Sequence, residues 1–88
     1  MSIEVKVKRS GTAGTIRAFI DDKVLKFDDD GNASRDCEEG KHTFSWLIEG
    51  SAKQTYNVRI VVPQRVATGA KGEIKNQGRI VGSHRFDL

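Results

Sequence analysis

Two histidines occupy the same short pattern, glycine-x-histidine-x-phenylalanine, at residues 40–44 and 82–86. In a strand, side chains two apart project from one face, so each histidine shares a face with its phenylalanine. Brought together, His42 and His84 would form a metal-binding or proton-exchanging pair, which Cys37 or a carboxylate would have to complete for zinc. The structural alternative is a histidine that caps the rim of the core by donating to a backbone carbonyl, with the glycine relieving crowding.

An acidic segment offers oxygen ligands at the spacing of a calcium-binding loop. Counted from its first aspartate, oxygen-bearing side chains fall at positions one, three, five, nine and twelve; they are Asp28, Asp30, Asn32, Asp36 and Glu39. The segment departs from the EF-hand pattern at position six, where Ala33 replaces glycine. A calcium site is one hypothesis. A solvated turn is the other, because Asp, Asn and Gly cap their own turns. We expect no other cofactor.

The patterns that accompany catalysis are missing from the sequence. No serine lies in a G-x-S-x-G motif, and the glycines are scattered singly instead of forming a phosphate-binding loop. Cys37 precedes two glutamates, whose charge disfavours a reactive thiolate. The sequence therefore predicts a protein that is not an enzyme.

Charge is unevenly distributed along the chain, although the net charge is only +3. Acidic residues concentrate between Asp21 and Glu39, and basic residues dominate from Arg59 to Arg85. Ordinary solvated faces explain this distribution; self-association of an acidic end with a basic end, or a basic surface for an anionic partner, are the alternatives. We do not expect nucleic-acid binding, since the large aromatic side chains lie at core positions and leave few rings for base stacking.

The residues that would position these groups form an aromatic-rich stretch at residues 40–63, which predicts one long β-hairpin. Alternation places one set of side chains on the core face of its first strand and a second set on the core face of its return strand. With a phenylalanine from the last strand, they supply the predicted core: Phe44, Trp46 and Ile48; Tyr56, Val58 and Ile60; and Phe86. By alternation His42 shares the face of the first set and Val62 that of the second. Leu47 and Val61 fall on the other face, which indicates central strands.

Further short strands are predicted on both sides of this stretch. They cover residues 3–7, 15–20, 23–27, 33–37 at a sheet edge, 72–75 and 79–88, with an irregular segment at 64–71. No apolar pattern of helical period is long enough for an α-helix. The expected fold is all-β, an antiparallel immunoglobulin-like sandwich of about seven or eight short strands in a single domain over residues 1–88. A small barrel is the alternative.

One family resemblance accompanies this pattern. Gly31 before a short strand, then residues 39–44 (EGKHTF), Trp46 and a return strand that begins at Tyr56 resemble the "G-x-H" hairpin of small immunoglobulin-like accessory domains, including PEGA-type modules. The resemblance covers about a third of the chain, and the usual proline of those modules is not in its place. It implies a spacer or binding platform beside other domains and no functional residue.

These observations predict a soluble, non-catalytic interaction or scaffolding module, with a protein partner or a second copy as its ligand. A carbohydrate or small-ligand module that uses Trp46, Tyr56 or His42 in a groove is one alternative, and a calcium-stabilised accessory domain is another. No stretch approaches the roughly 20 apolar residues of a membrane span, and the single cysteine excludes an internal disulfide. We expect a cytoplasmic protein, or an exported one if a leader has been removed.

Overall fold

The structure, a computed structural model, describes residues 2–76 and 78–88. Within them the chain forms eight strands and a 3-10 turn at Gln64–Val66. The strands are β1 (Ser2–Ser10), β2 (Thr15–Ile20), β3 (Lys23–Val24), β4 (Asn32–Glu38), β5 (Lys41–Gly50), β6 (Thr55–Val62), β7 (Gly69–Glu73) and β8 (Gly78–Asp87). The predicted boundaries of β2 are right, whereas β3 is shorter than predicted and β7 begins inside the segment expected to be irregular.

Two four-stranded sheets pack face to face. Their strand orders are β4-β1-β6-β7 and β3-β2-β5-β8, and every pairing is antiparallel. The structure confirms the predicted all-β fold, an antiparallel sandwich of two sheets. The order of its strands is its own, because β1 and β2 lie in different sheets, while the first two strands of a constant-type immunoglobulin domain are neighbours.

The predicted hairpin at residues 40–63 is wrong. β5 pairs with β2 and β8, and β6 pairs with β1 and β7, so the chain crosses from one sheet to the other between them. Backbone hydrogen bonds to Ile74 hold the crossing segment in place. The Lys53 N–H donates to the Ile74 carbonyl (2.7 Å), and the Ile74 N–H donates to the Gln54 carbonyl (2.8 Å). Both strands are central in their sheets, as Leu47 and Val61 indicated. Because each already has a strand on both edges, β5 and β6 cannot pair with each other.

The core between the sheets is apolar throughout, and no polar or charged side chain is buried among the described residues. Its largest fully buried side chains come from strands of both sheets and from the segment after β7; they are Phe44, Ile20, Ile48, Ile60, Ile74, Val5, Val7 and Val58. Burial of one such side chain is worth roughly 1.5–3 kcal/mol. Phe86 is buried as predicted, while Trp46 and Tyr56 are only partly buried and pack against the core from its side.

A β-bulge explains why Val62 does not join the core. Val7 is opposite Ile60, but Lys6 is opposite Val62, so Val61 is an extra residue in β6. The extra residue reverses the alternation at the end of the strand. Val62, predicted to face inward, is therefore 40% exposed.

Candidate functional site

The turn between β2 and β3 places a carboxylate beside His42. Asp21 and Asp22 both have positive φ angles (52° and 66°), as the two-residue turn of a tight hairpin requires. In this conformation the Asp21 N–H donates to the Thr43 carbonyl (2.9 Å), and the Thr43 N–H donates to Asp21 Oδ1 (3.0 Å). The second carboxylate oxygen of Asp21 remains directed at the histidine.

Both ring nitrogens of His42 have acceptors. Nδ1 lies 2.5 Å from Asp21 Oδ2, and Nε2 lies 2.6 Å from the Glu38 carbonyl oxygen. The ring stacks on Phe86 with centroids 5.5 Å apart, and its side chain is 12% exposed. The hydrogen bond to Asp21, with that to Glu38, raises the pKa of His42. Partial burial opposes ionisation of Asp21, but the bonds from His42 and Thr43 outweigh it and lower its pKa. Both contacts are with acceptors, and only a doubly protonated ring donates to both at once. His42 therefore links the β2–β3 turn, the end of β4 and β5.

The second histidine makes none of these contacts. His84 lies opposite Phe44, diagonal to His42 on the same face of the sheet, and is exposed. Cys37 is buried in β4, and its burial, followed by the nearby charge of Asp21, raises the pKa of its thiol. In residues 2–76 and 78–88, no group of three or more His, Cys, Asp or Glu side chains is placed to hold a metal ion. The predicted histidine pair is therefore not assembled with Cys37 into a site.

The five residues of the predicted calcium loop are also separated. Asp28 Oδ1 accepts the N–H groups of Asp30 (2.9 Å) and Asn32 (3.0 Å), which makes the segment a self-capped turn. From Asn32 onward the chain is β4, so Asp36 lies about 13 Å farther along at the rise of about 3.3 Å per strand residue. Glu39 lies beyond the far end of that strand. The structure therefore gives the solvated-turn geometry and does not gather the five ligands.

Two aromatic side chains lie over glycines of the edge strands on one side of the sandwich. Trp46 is opposite Gly82, and a methyl group at position 82 would lie 2.6 Å from ring atom Cζ2. Tyr56 is opposite Gly72, where a methyl group would lie 3.0 Å from the Tyr56 hydroxyl. Trp46 also contacts Phe44, with centroids 5.6 Å apart. These contacts use the rings for packing. The carbohydrate or small-ligand module that would use Trp46, Tyr56 or His42 stays a prediction.

An apolar stripe crosses the outer face of the β3-β2-β5-β8 sheet. Val24 is opposite Phe19, Phe19 is diagonal to Leu47, and Leu47 is opposite Val81. Each lies at a position whose side chain points away from the core. Val24 is 52% exposed and Val81 67% exposed, with Phe19 and Leu47 between them half-buried. We refer to these four residues as the apolar stripe.

Alternation in the sequence indicated the outward position of Leu47 but not the stripe as a whole. Its members come from four strands, and only the cross-strand register shows that they adjoin. The pairing of Asp21 with His42 was missed for the same reason. For the stripe, the sequence contains only a weak signal, which is one apolar residue at an outward position in each strand.

By architecture the chain is an antiparallel β-sandwich with an apolar stripe on the outer face of its β3-β2-β5-β8 sheet. Comparisons with family models, with curated proteins and with solved structures found no match. The resemblance to PEGA-type accessory domains therefore stays a prediction. The helical segment in the described residues is one 3-10 turn, and no helix there has the length and apolarity to cross a membrane.

Proposed function

We propose that this protein is a non-catalytic interaction module that binds a protein partner on the apolar stripe. The observation that carries the proposal is the continuity of Val24, Phe19, Leu47 and Val81 across all four strands of one sheet. Scattered apolar side chains are normal on a protein surface, but adjoining ones rimmed by polar groups are typical of interfaces.

The surroundings of the stripe specify the chemistry of the partner. Ser45 and Ser83 flank it on one side, and Arg17 lies beside Leu47. Arg79 and Arg85 lie on the same face of β8. A complementary surface would therefore offer apolar side chains at its centre and carboxylates toward these arginines.

The state of the histidine cluster supports a non-catalytic role. A general base needs a ring nitrogen within reach of a substrate proton, and both nitrogens of His42 already meet acceptors inside the fold. The buried thiol of Cys37 has a raised pKa, the opposite of an activated nucleophile.

Site-specific photo-cross-linking in the cells that make the protein tests the proposal. A photoreactive residue at Val24, on the stripe, is expected to give a discrete protein adduct. The same residue at Val62, an exposed valine of the other sheet, is the matched control and should give none. Leu47→Lys should weaken the Val24 adduct about tenfold or more, because it places a charge in the centre of the interface. Absence of an adduct at Val24, or equal adducts at both valines, would contradict the proposal.

A further inference from the structure

β8 is an edge strand of ten residues, the longest sheet edge in the described part of the chain. Gly40 and Leu88 exchange two backbone hydrogen bonds (3.0 and 2.9 Å), and the register from Gly50–Gly78 to Lys41–Asp87 is unbroken. In an antiparallel pair such hydrogen-bonded positions alternate. Even-numbered residues of β8 therefore bond to β5, and odd-numbered residues direct their N–H and C=O groups away from it.

This outward row consists of Arg79, Val81, Ser83, Arg85 and Asp87. No strand covers it within residues 2–76 and 78–88. The Asp87 carbonyl accepts a hydrogen bond from Arg65 Nη1 (3.2 Å), and a carbonyl oxygen has a second lone pair for another donor. Apart from this side-chain contact at its end, no strand of the described residues pairs with the row, and an edge of this length is a template for pairing with another strand.

We propose that β8 pairs antiparallel with β8 of a second copy of this chain, about a two-fold axis at Ser83. In this register Arg79 lies opposite Asp87 of the second copy, and the symmetry supplies the same ion pair twice. Val81 lies opposite Arg85, whose aliphatic stem can cover it. Ser83 lies opposite its own counterpart. Each pair has opposite charges or no charge conflict, which favours cross-strand pairing.

The neighbouring registers are less favourable. A two-fold axis at Gly82 would place Arg79 opposite Arg85, and like charges directly opposite destabilise a sheet. An axis at His84 would place Ser83 opposite Arg85 and leave Arg79 beyond the end of the partner strand. The charge sequence of the outward row therefore selects the Ser83 register.

The assembly would be one continuous eight-stranded sheet with an apolar stripe from each copy on the same outer face. The pairing uses the edge of β8, while the proposed function uses the face of the sheet. The two proposals share the side chains of Arg79, Val81 and Arg85 on β8, but the adduct forms at Val24 on β3, which is the opposite edge of the sheet, so their failures can be told apart. Loss of dimerisation would leave the Val24 adduct intact, and loss of that adduct would leave the dimer intact.

Sedimentation of the full chain over a concentration series tests the pairing. We expect a dimer of twice the 9.8 kDa chain mass. Ser83→Pro should raise the dimer Kd at least about tenfold, because it removes an outward N–H and bonds to β5 are untouched. Ser83→Thr, which keeps the N–H, is the matched control and should behave as wild type. A wild-type chain that stays monomeric up to roughly 1 mM, or a dimer unaffected by Ser83→Pro, would overturn the proposal.

Charge reversal and cross-linking test the register. Arg79→Asp and Asp87→Arg should each weaken the dimer about tenfold or more, and the double variant should restore it to within a few-fold. Ser83→Cys should form a symmetric disulfide under mild oxidation, because hydrogen-bonded partners have Cα atoms about 5.5 Å apart. Val81→Cys, whose counterpart would be about 13 Å away, should not. Equal cross-linking at both positions, or no rescue in the double variant, would overturn the Ser83 register.

Discussion

The imidazole of His42 contacts three chain segments that are distant in sequence. One nitrogen meets Asp21 in the β2–β3 turn, the other meets the carbonyl of Glu38 at the end of β4, and the ring itself belongs to β5. Charge-assisted bonds of this kind are stronger than neutral ones. His42, predicted as a candidate metal ligand or proton-exchanging group, thus makes structural contacts. Its protonation is therefore linked to the stability of the fold.

The His42–Asp21 contact predicts a pH-dependent free energy of unfolding. The folded pKa of His42 is raised, chiefly by Asp21, so its stabilisation is complete below the unfolded pKa near 6.5 and is lost as the pH rises through the folded value. The pKa of Asp21 is lowered, so its contribution is present above about 3.8 and is lost as the pH falls. Urea unfolding should show stability declining as the pH rises above about 6.5.

His42→Gln should flatten this decline in stability with rising pH. His84→Gln is the matched control, because the exposed His84 makes none of these contacts, and it should leave the slope as in the wild type. Parallel profiles for the wild type and His42→Gln above about pH 6.5 would show that the His42–Asp21 contact contributes nothing measurable.

The contact between Trp46 and Gly82 predicts a steric effect of a single methyl group. Gly82→Ala would place a Cβ 2.6 Å from a rigid indole ring, so the ring must move toward solvent. We expect a loss of about 1–3 kcal/mol in the free energy of unfolding, as for other overpacked sites, and a red shift of the tryptophan emission. Gly14→Ala, with an ordinary contact of 3.8 Å to the Glu49 carbonyl, should change stability by less than about 0.5 kcal/mol. Equal stability of the two variants would contradict the packing at Trp46.

At the scale of elements, the positions of the strands and the faces of their side chains were predicted from the sequence. Which strands pair with each other was not. The alternation in β2 and the charged, edge-strand character of β4 depend on residues within each strand. After β5, the chain can either turn back so that β6 pairs with β5, or cross to the other sheet. The outcome depends on which other strands pair with the edges of β5. The four-residue connection that follows Gly50, the last residue of β5, permits both outcomes. Parity predicted the burial of Phe44, Ile48, Val58 and Ile60 because the same face is inward in either case.

The candidate site was less predictable than the fold, because its residues come together only through register. The acidic residues that are continuous in sequence illustrate this. Asp28–Asp30 precede β4, whose first residue pairs with Lys8, and Glu38 at its other end pairs with Ser2. The acidic stretch is therefore divided between opposite ends of the sandwich. It does not form the single acidic end suggested as a surface for self-association.

Strand pairing in the β4-β1-β6-β7 sheet places two cations side by side. Lys8 lies opposite Arg59, and no ion pair involving either is found among the described residues. Like charges directly opposite each other destabilise a sheet, so Lys8→Glu should raise the free energy of unfolding by up to about 1 kcal/mol. High salt should reduce the gain. Lys6→Glu, which replaces the partner of Glu4 (3.7 Å), should lower stability instead. Changes of the same sign in both variants would contradict this pairing.

At the scale of the whole molecule, the two halves of the chain have the same connectivity. In the first half β1 pairs with β4 and β2 with β3, and in the second half β5 pairs with β8 and β6 with β7. The halves meet through the central pairings β1–β6 and β2–β5. Each sheet therefore contains two strands from each half, and the core lies between sheets that neither half completes.

This division predicts that the halves fold only together. A peptide of residues 1–39 and one of residues 40–88 would each form at most two-stranded ribbons, which are marginally stable in water. Each alone should show unfolded far-UV circular dichroism and poorly dispersed amide resonances. Mixing should restore the strand spectrum and shift the emission of Trp46 to the blue. A peptide of residues 51–88, which lacks β5 and so the partner of β2, should fail to complement. A cooperative thermal transition in either half by itself would refute the shared core.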